Sequence, residues 1–331
     1  MVTSVLIIII CIALFFEFTN GFHDAANVVA TPIATKSLTP HQAIGLAAFF
    51  NFLGAFFGTA VAATISKGLV DTSVVSDIVL VSALLGAISW NFFTWYFGIP
   101  SSSSHALIGS LVGAVIVGAS YKDVNYITVL NKVLVPMISS PVLAFFVALI
   151  VCIVLLNIFT QVKNVRLTNK YIRELQVVST SLLSFSHGSN DAQKTMSIIT
   201  LALLSAGLVQ TTVVPDWVII VCGAAMGLGT LSGGKKIIKT LSTKLSKLEP
   251  TNAVSAELSS GLLVLGASHI GLPVSTTQVA SGSIMGAGFA DSGVNWRVVK
   301  KLATAWLLTI PACIFVTGII YTVLYHSIGI F

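Results

Sequence analysis

The chain has 331 residues, of which 55% are hydrophobic and only 8% charged, with a formal net charge of +6. A soluble domain carries about 25% charged residues, so a mean hydropathy of +0.97 excludes one and implies an integral membrane protein. The apolar runs are long and rich in Gly and Ala, which excludes the short alternating strands of a membrane barrel and leaves helices. The first run lacks a basic start and further apolar runs follow, so it does not read as a signal peptide.

Residues 4–18 form that run, interrupted by Glu17. A polar stretch follows, Gly21-Phe22-His23-Asp24-Ala25-Ala26-Asn27, then apolar sequence to Ala34. So long a run exceeds one straight crossing of about 20 residues, and a broken helix or a re-entrant piece is expected here. Residues 42–65 read as one crossing with a small-residue face. Residues 73–97 end in an aromatic belt and meet Gly98-Ile99-Pro100-Ser101-Ser102-Ser103-Ser104-His105, where a helix restarts behind proline and serine caps. A loop at 119–130 precedes a long helix at about 131–159.

The pattern then repeats. A basic linker, residues 161–174, carries Lys163, Arg166, Lys170 and Arg173. The first polar stretch returns as Gly188-Ser189-Asn190-Asp191-Ala192-Gln193-Lys194, in a register that pairs Gly21 with Gly188, Asp24 with Asp191 and Asn27 with Lys194. The first serine motif returns as Gly271-Leu272-Pro273-Val274-Ser275-Thr276-Thr277-Gln278, which pairs Pro100 with Pro273, Ser103 with Thr276 and Ser104 with Thr277. Two motif pairs in one order predict an all-α polytopic membrane protein of inverted-topology repeats, with broken helices, re-entrant hairpins and roughly twelve transmembrane segments. The repeats are residues 1–160 and 175–331.

Placing the basic clusters at 163–173 and 235–247 in the cytoplasm puts the loop at 210–216 and both termini outside. This leaves Lys67, Lys122 and Lys132 outside, against the rule. The clusters read as topology signals, so no nucleic-acid partner is expected. Cys11, Cys152, Cys222 and Cys313 each lie alone in apolar sequence and form no metal motif.

A carboxylate at membrane depth must be paired, protonated or bound to a cation. Asp24 and Asp191 are therefore the leading cation ligands, with His23, Asn27, Asn190, Glu17 and Glu257 as further candidates. The competing reading is an Asp191–Lys194 ion pair that locks the fold. Na⁺ prefers oxygens, which these stretches supply. The four histidines His23, His105, His187 and His269 lack a ligand set at zinc spacing. Helix N-termini at Pro100 and Pro273, with Ser102, Ser103, Ser104, Ser275, Thr276, Thr277 and Gln278, suit a tetrahedral anion. The alternative is that these hydroxyls only cap helix ends. Lys194 either faces the anion or neutralises Asp191, and Asn27, Asn190, Gln193 and Gln278 are either ligands or satisfied core amides.

These four motifs resemble the inorganic phosphate transporter family, sodium- or proton-coupled permeases whose signature is a duplicated Gly-Ala-Asn-Asp-Val-Ala-Asn-Ala pattern. The resemblance spans nearly the whole chain. It implies that Asp24, Asn27, Asn190 and Asp191 belong to the transport centre and that Ser102, Ser103, Ser104, Ser275, Thr276, Thr277 and Gln278 contact phosphate or line its site. It implies a homodimer in the plasma (inner) membrane with both termini outside. The expected activity is Na⁺-coupled symport of inorganic phosphate by alternating access, with Na⁺ as coupling ion and no cofactor. His23 replaces the Asn of the pattern, which keeps proton coupling as an alternative. Sulfate transport is a second. No nucleotide loop or catalytic triad is visible, which argues against an enzyme.

Overall fold

The computed structural model describes residues 4–328 except Lys163 and Gly234. Lys163 of the first basic cluster, and the predicted sidedness of residues 1–3 and 329–331, lie outside the described residues. Among those residues the regular elements are helices, and the extended contacts are two isolated bridges. The first half holds α1 (Ser4–Ala34), α2 (Pro40–Gly54), α3 (Ala60–Gly68), α4 (Asp77–Phe97), α5 (Ser103–Gly118), the single turn α6 (Tyr126–Val129) and α7 (Val135–Thr160). The second holds α8 (Val165–Ser205), α9 (Asp216–Ser232), the short α10 (Lys235–Lys239), α11 (Pro250–His269), α12 (Thr276–Ala290) and α13 (Trp296–Ile328). The register that pairs the serine motif with the threonine motif also pairs the helix starts. It sets Asp77 of α4 against Pro250 of α11, and Ser103 of α5 against Thr276 of α12.

Several expectations change. The two Asp motifs do not interrupt their helices: α1 runs 31 residues and α8 runs 41 through them. Nothing in either motif removes a backbone N–H, and Pro32 falls only in the last turn of α1, so the i→i−4 ladder survives. The crossing expected at 42–65 is two helices, α2 and α3, parted near Gly58 at φ +96°. The second helix starts there because the Gln193 side chain accepts from Val61 N at 2.8 Å and Ala62 N at 3.3 Å. Most of the basic linker is already helical, since Asn164 caps α8 by accepting from Leu167 N at 3.1 Å. The loop at 232–250 contains α10 and a π turn, Thr240–Leu245, and a second π turn, Leu130–Leu134, leads into α7.

The breaks fall at the serine and threonine motifs. Gly98 ends α4 at φ +65°, a left-handed conformation that glycine adopts without strain, and Ser102 then caps α5. Residues 270–275 do the same between α11 and α12, with Gly271 at φ +71° and Ser275 as the cap. α4 packs on α5 and α11 on α12, giving two hairpins. The 16 residues of α5 reach about 24 Å, short of a hydrocarbon core of about 30 Å.

The helices group in three. α1, α2, α8 and α9 pack together at the centre, α4 and α5 pack with α13, and α11 and α12 pack with α7, α11 also lying closely along the central α8. Each flanking group therefore takes its hairpin from one half of the chain and its long helix from the other. Close approach at the centre depends on glycine. A Cβ on Gly188 would lie 2.0 Å from Asn51 O of α2, and one on Gly21 would lie 2.4 Å from Met226 O of α9.

The burial pattern is that of a membrane protein. Four described helices are long and apolar enough to cross a membrane, and a fifth is added if Asp216–Ser232 and Lys236–Leu245 count as one bent span. Their outer faces expose large hydrophobics, among them Ile138, Phe146 and Ile150 on α7 and Leu307, Phe315 and Ile319 on α13. The buried interior instead holds Asp24, Asp191, Lys194, Glu17, Glu257 and many hydroxyls. Water would penalise that arrangement on both counts, whereas lipid solvates the outside and the interior polar groups pair with one another.

Candidate ion and anion site

At the junction of the three groups, α1 and α8 present their acidic motifs to the N-termini of α5 and α12. On α8 the residues His187, Asp191 and Lys194 share a face, being four and three residues apart. On α1, Asn20, Asp24 and Asn27 share the corresponding face. All of these side chains are buried.

Asp24 Oδ2 accepts from Ser103 Oγ at 2.7 Å, and its Oδ1 accepts from Thr277 Oγ1 at 3.4 Å. His23 Nδ1 lies 2.6 Å from the same Oδ1, and its Nε2 lies 3.1 Å from Thr94 Oγ1. Asn27 Nδ2 donates to Thr277 Oγ1 at 2.8 Å. In the other half, Asp191 Oδ2 accepts from Thr276 Oγ1 at 3.3 Å and Oδ1 accepts from Asn190 Nδ2 at 2.8 Å. Lys194 Nζ donates to Asp191 and to Ser104 Oγ. Asn190 Nδ2 also reaches Val274 O at 2.9 Å, and the two bonds fix the amide orientation.

The contacts of the two motif pairs correspond. Asp24 takes a hydroxyl from Ser103, and its counterpart Asp191 takes one from Thr276, the counterpart of Ser103. Asn27 reaches across to Thr277, and its counterpart Lys194 reaches across to Ser104, the counterpart of Thr277. One ligand atom from each of Asp24, His187 and Asp191 lies within 4.8 Å of the others, so a cation could sit among them. Two buried carboxylates that close repel strongly unless a proton or cation lies with them.

The structure brings Asp24, Asp191, His23, Asn27, Asn190, Lys194, Ser103, Ser104, Thr276 and Thr277 together. Ser102 and Ser275 lie at the rim, where their oxygens accept from His105 N at 3.1 Å and Gln278 N at 3.3 Å as helix caps. Gln278 is buried beside them with neither amide atom partnered, and Asn27 Oδ1 and Asn190 Oδ1 are likewise unpartnered. Glu17 does not touch Asp24, which lies two turns on, about 10 Å along α1; it accepts from Thr195 Oγ1 and stands beside Asp191 and Lys194 at the edge of the cluster. Glu257 is held elsewhere. It accepts from Gln176 Nε2 at 3.1 Å, Thr180 Oγ1 at 3.0 Å and Ser179 Oγ, and Thr180 is about 16 Å along α8 from Asp191. Gln193 is a satisfied cap, as above. His187 joins the centre unexpectedly: its Nδ1 lies 3.0 Å from Asn51 Oδ1 and its Nε2 3.4 Å from Asp191 Oδ2, with Asp24 of α1 nearby, and the i,i+4 spacing to Asp191 is its one signal in the sequence. Thr94 and the Val274 carbonyl carry no such signal.

A cavity of about 750 Å³ lies beside the centre rather than in it, behind Thr94 and residues 98–100. Apolar side chains of α4 and α13 line it, and Lys244, Arg297, Lys300 and Lys301 stand along it.

The fold and the site define a multi-pass membrane protein whose buried polar centre is built from two corresponding sets of contacts. Residues 20–317 match the model of the phosphate transporter family. The chain is 46% identical over 324 residues, 96% of each chain, to a probable low-affinity inorganic phosphate transporter of Bacillus subtilis. It is 45% identical over 328 residues to a protein of the same description from Mycobacterium tuberculosis, covering 98% of this chain and 78% of that one. Among solved structures, one described as the sodium-dependent phosphate transporter superposes with a TM-score of 0.87 at 26% identity, over 97% of this chain and 99% of that one. The chain belongs to the phosphate transporter family, whose members are transporters and not enzymes.

Proposed function

We propose that this protein is a secondary active symporter that carries inorganic phosphate into the cell with Na⁺ by alternating access. The observation that carries the reading is the sharing of ligands between Asp24, Asp191 and the two helix N-termini. Ser103, Thr276 and Thr277 donate to the carboxylates, yet they also stand where the N-termini of α5 and α12 would hold an anion. Phosphate cannot approach those carboxylates until a cation offsets their charge. Binding of cation and anion is then mutually favourable, which is what coupling requires. The donor set is mainly oxygen, as Na⁺ prefers, and the solved neighbour is described as sodium-dependent.

Phosphate rather than sulfate is favoured by Asn27 Oδ1, Asn190 Oδ1 and Gln278 Oε1. These buried acceptors can take the proton that phosphate carries at neutral pH and sulfate does not. The closed centre is read as an occluded state. The flanking groups, each a hairpin and a long helix, would rock against the central four helices to open it to either side. On this reading the two halves, residues 1–160 and 175–331, are inverted repeats of roughly twelve segments counting the hairpin arms. The protein sits in the inner membrane with both termini outside and works as a homodimer with no cofactor.

One observation favours a second reading. His23 stands between Asp24 and Thr94, and an imidazole 2.6 Å from a carboxylate is suited to carry a proton. Labelled-phosphate uptake into proteoliposomes separates the two. Uptake that needs an inward Na⁺ gradient supports the first; uptake driven by a proton gradient without Na⁺ replaces it with the second. Sulfate that competes equally with phosphate would overturn the anion assignment.

A further inference from the structure

The contacts of the two halves correspond, and one pair of positions breaks the match in fixed charge. Asn27 donates to Thr277, and in the same place of the other half Lys194 donates to Ser104. Both side chains are buried, at 3% and 1% exposure. The amide adds no charge beside Asp24, whereas the ammonium brings a full positive charge against Asp191. Lys194 Nζ also lies 3.5 Å from Val274 O, so a carboxylate, a hydroxyl and a backbone carbonyl face it together. Those three oxygens are the donor types that a hard monovalent cation takes.

We infer that the Lys194 ammonium is a tethered cation that occupies the Asp191 half of the centre in place of a mobile coupling ion. The inference rests on the symport reading and adds its stoichiometry. The Asp24 half, with its hydroxyls, the Asn27 amide and the His23 imidazole 2.6 Å from Oδ1, holds no fixed positive charge and keeps a site for a travelling cation. The Asp191 half is already neutralised by a charge that cannot leave. Formal charge makes the difference concrete. Counting the fixed charges of Asp24, Asp191 and Lys194, with the His23 and His187 imidazoles neutral, the centre carries one net negative charge, and with Asn in both positions it would carry two. The protein therefore moves one cation fewer per phosphate than a symmetric centre would, which lowers the concentrating power available from a given gradient.

Lys194→Asn and Asn27→Lys test this in opposite directions. Purified protein in detergent is titrated with Na⁺ at constant ionic strength, choline making up the balance, and the melting temperature is read. Reconstituted protein gives the charge moved per phosphate from reversal potentials under imposed ion gradients. For Lys194→Asn, the melting temperature without Na⁺ should fall and be restored by Na⁺. Its Na⁺ dependence should steepen from one site to two, and the charge moved per phosphate should rise by one. Asn27→Lys places a second tethered cation against Asp24 and should abolish the Na⁺-dependent stabilisation of the folded protein. Lys194→Arg keeps the charge and should leave the ratio unchanged.

If Lys194→Asn shows the wild-type Na⁺ slope and charge ratio, or Asn27→Lys still binds Na⁺ as wild type does, the inference is overturned. Should Lys194→Asn not fold at any Na⁺ concentration, Asn27→Lys alone decides. Wild-type protein that neither transports phosphate nor responds to a cation would sink the symport reading itself, a result distinct from either variant outcome.

Discussion

Gln278 and Gln193 are both buried glutamines within the second-half motifs, and they should respond oppositely to the same substitution. Gln193 makes three hydrogen bonds: its Nε2 donates to Ser189 O at 2.6 Å and its Oε1 accepts from Val61 N and Ala62 N. Gln278 makes none through its side chain. Methionine approximates the length and volume of glutamine and removes both polar atoms, so little cavity energy enters. In Gln193→Met the buried Val61 N–H loses its partner, and the expected loss is about 1–3 kcal/mol. In Gln278→Met no bond is lost and an unmet desolvation cost is relieved, so stability should hold or rise by about 1–3 kcal/mol. Transport should show the reverse order. If Gln278 gives phosphate one hydrogen bond of about 1.5–3 kcal/mol, its loss raises the phosphate KM by roughly 10- to 150-fold. Gln193→Met should leave KM nearly unchanged. The assays are denaturation in detergent and proteoliposome uptake. Equal destabilisation by both variants, or a KM for Gln278→Met within about twofold of wild type, would refute the reasoning.

Three further outcomes are expected. Asp24→Asn and Asp191→Asn should both abolish ion-driven phosphate uptake, but only Asp191→Asn leaves the buried Lys194 without its carboxylate and should cost about 3–5 kcal/mol in denaturation. Gly188→Ala drives a Cβ into the backbone of α2 at Asn51 and should lower stability by about 1–3 kcal/mol, read as a fall in melting temperature with α2 and α8 forced apart. Glu257→Gln, with its hydroxyl and amide partners far from the centre, should retain the wild-type phosphate-to-ion ratio even where expression falls. An altered ratio would return Glu257 to the ion site.

The membrane class, the pairing of the motifs and the positions of the hairpin turns are legible in the sequence, because each rests on a local rule. Hydropathy reports burial in lipid, a recurring motif order reports a repeat, and Gly98, Ser102, Gly271 and Ser275 are turn and cap residues by their own chemistry. Sequence misleads where length stands in for backbone chemistry. Residues 4–34 exceed one crossing, which predicts a break at the Asp24 stretch, yet polar side chains do not end a helix while the backbone ladder is intact. The break between α2 and α3 is illegible for a related reason: Gln193, distant in the chain, supplies the cap that lets a new helix start. His187 carries little signal because its second carboxylate, Asp24, arrives only by tertiary packing.

The contacts at the centre also constrain how it could open. Ser103 and Ser104 belong to the group of α4, α5 and α13, while Thr276 and Thr277 belong to the group of α7, α11 and α12. Asp24 and Asp191 belong to the central helices. Ser103, Thr276 and Thr277 therefore lie on different groups from the carboxylates they serve, and Ser104 lies on a different group from the Lys194 ammonium it accepts from. A rocking movement that withdraws either hairpin strips hydroxyls from a carboxylate, and a buried charge losing hydrogen bonds is costly. A bound cation supplies the missing coordination and lowers that cost. The same geometry that draws phosphate toward a neutralised centre thus makes movement of an empty, unneutralised one unfavourable in the half that has no tethered charge. Uncoupled leak should then appear first at Asp24: Asp24→Asn should permit slow phosphate exchange without any ion gradient, whereas Asp191→Asn, which leaves the ammonium unpaired, should not. Counterflow of labelled phosphate between equal concentrations measures that exchange, and its absence in Asp24→Asn would show that the carboxylate is not what holds the empty centre shut.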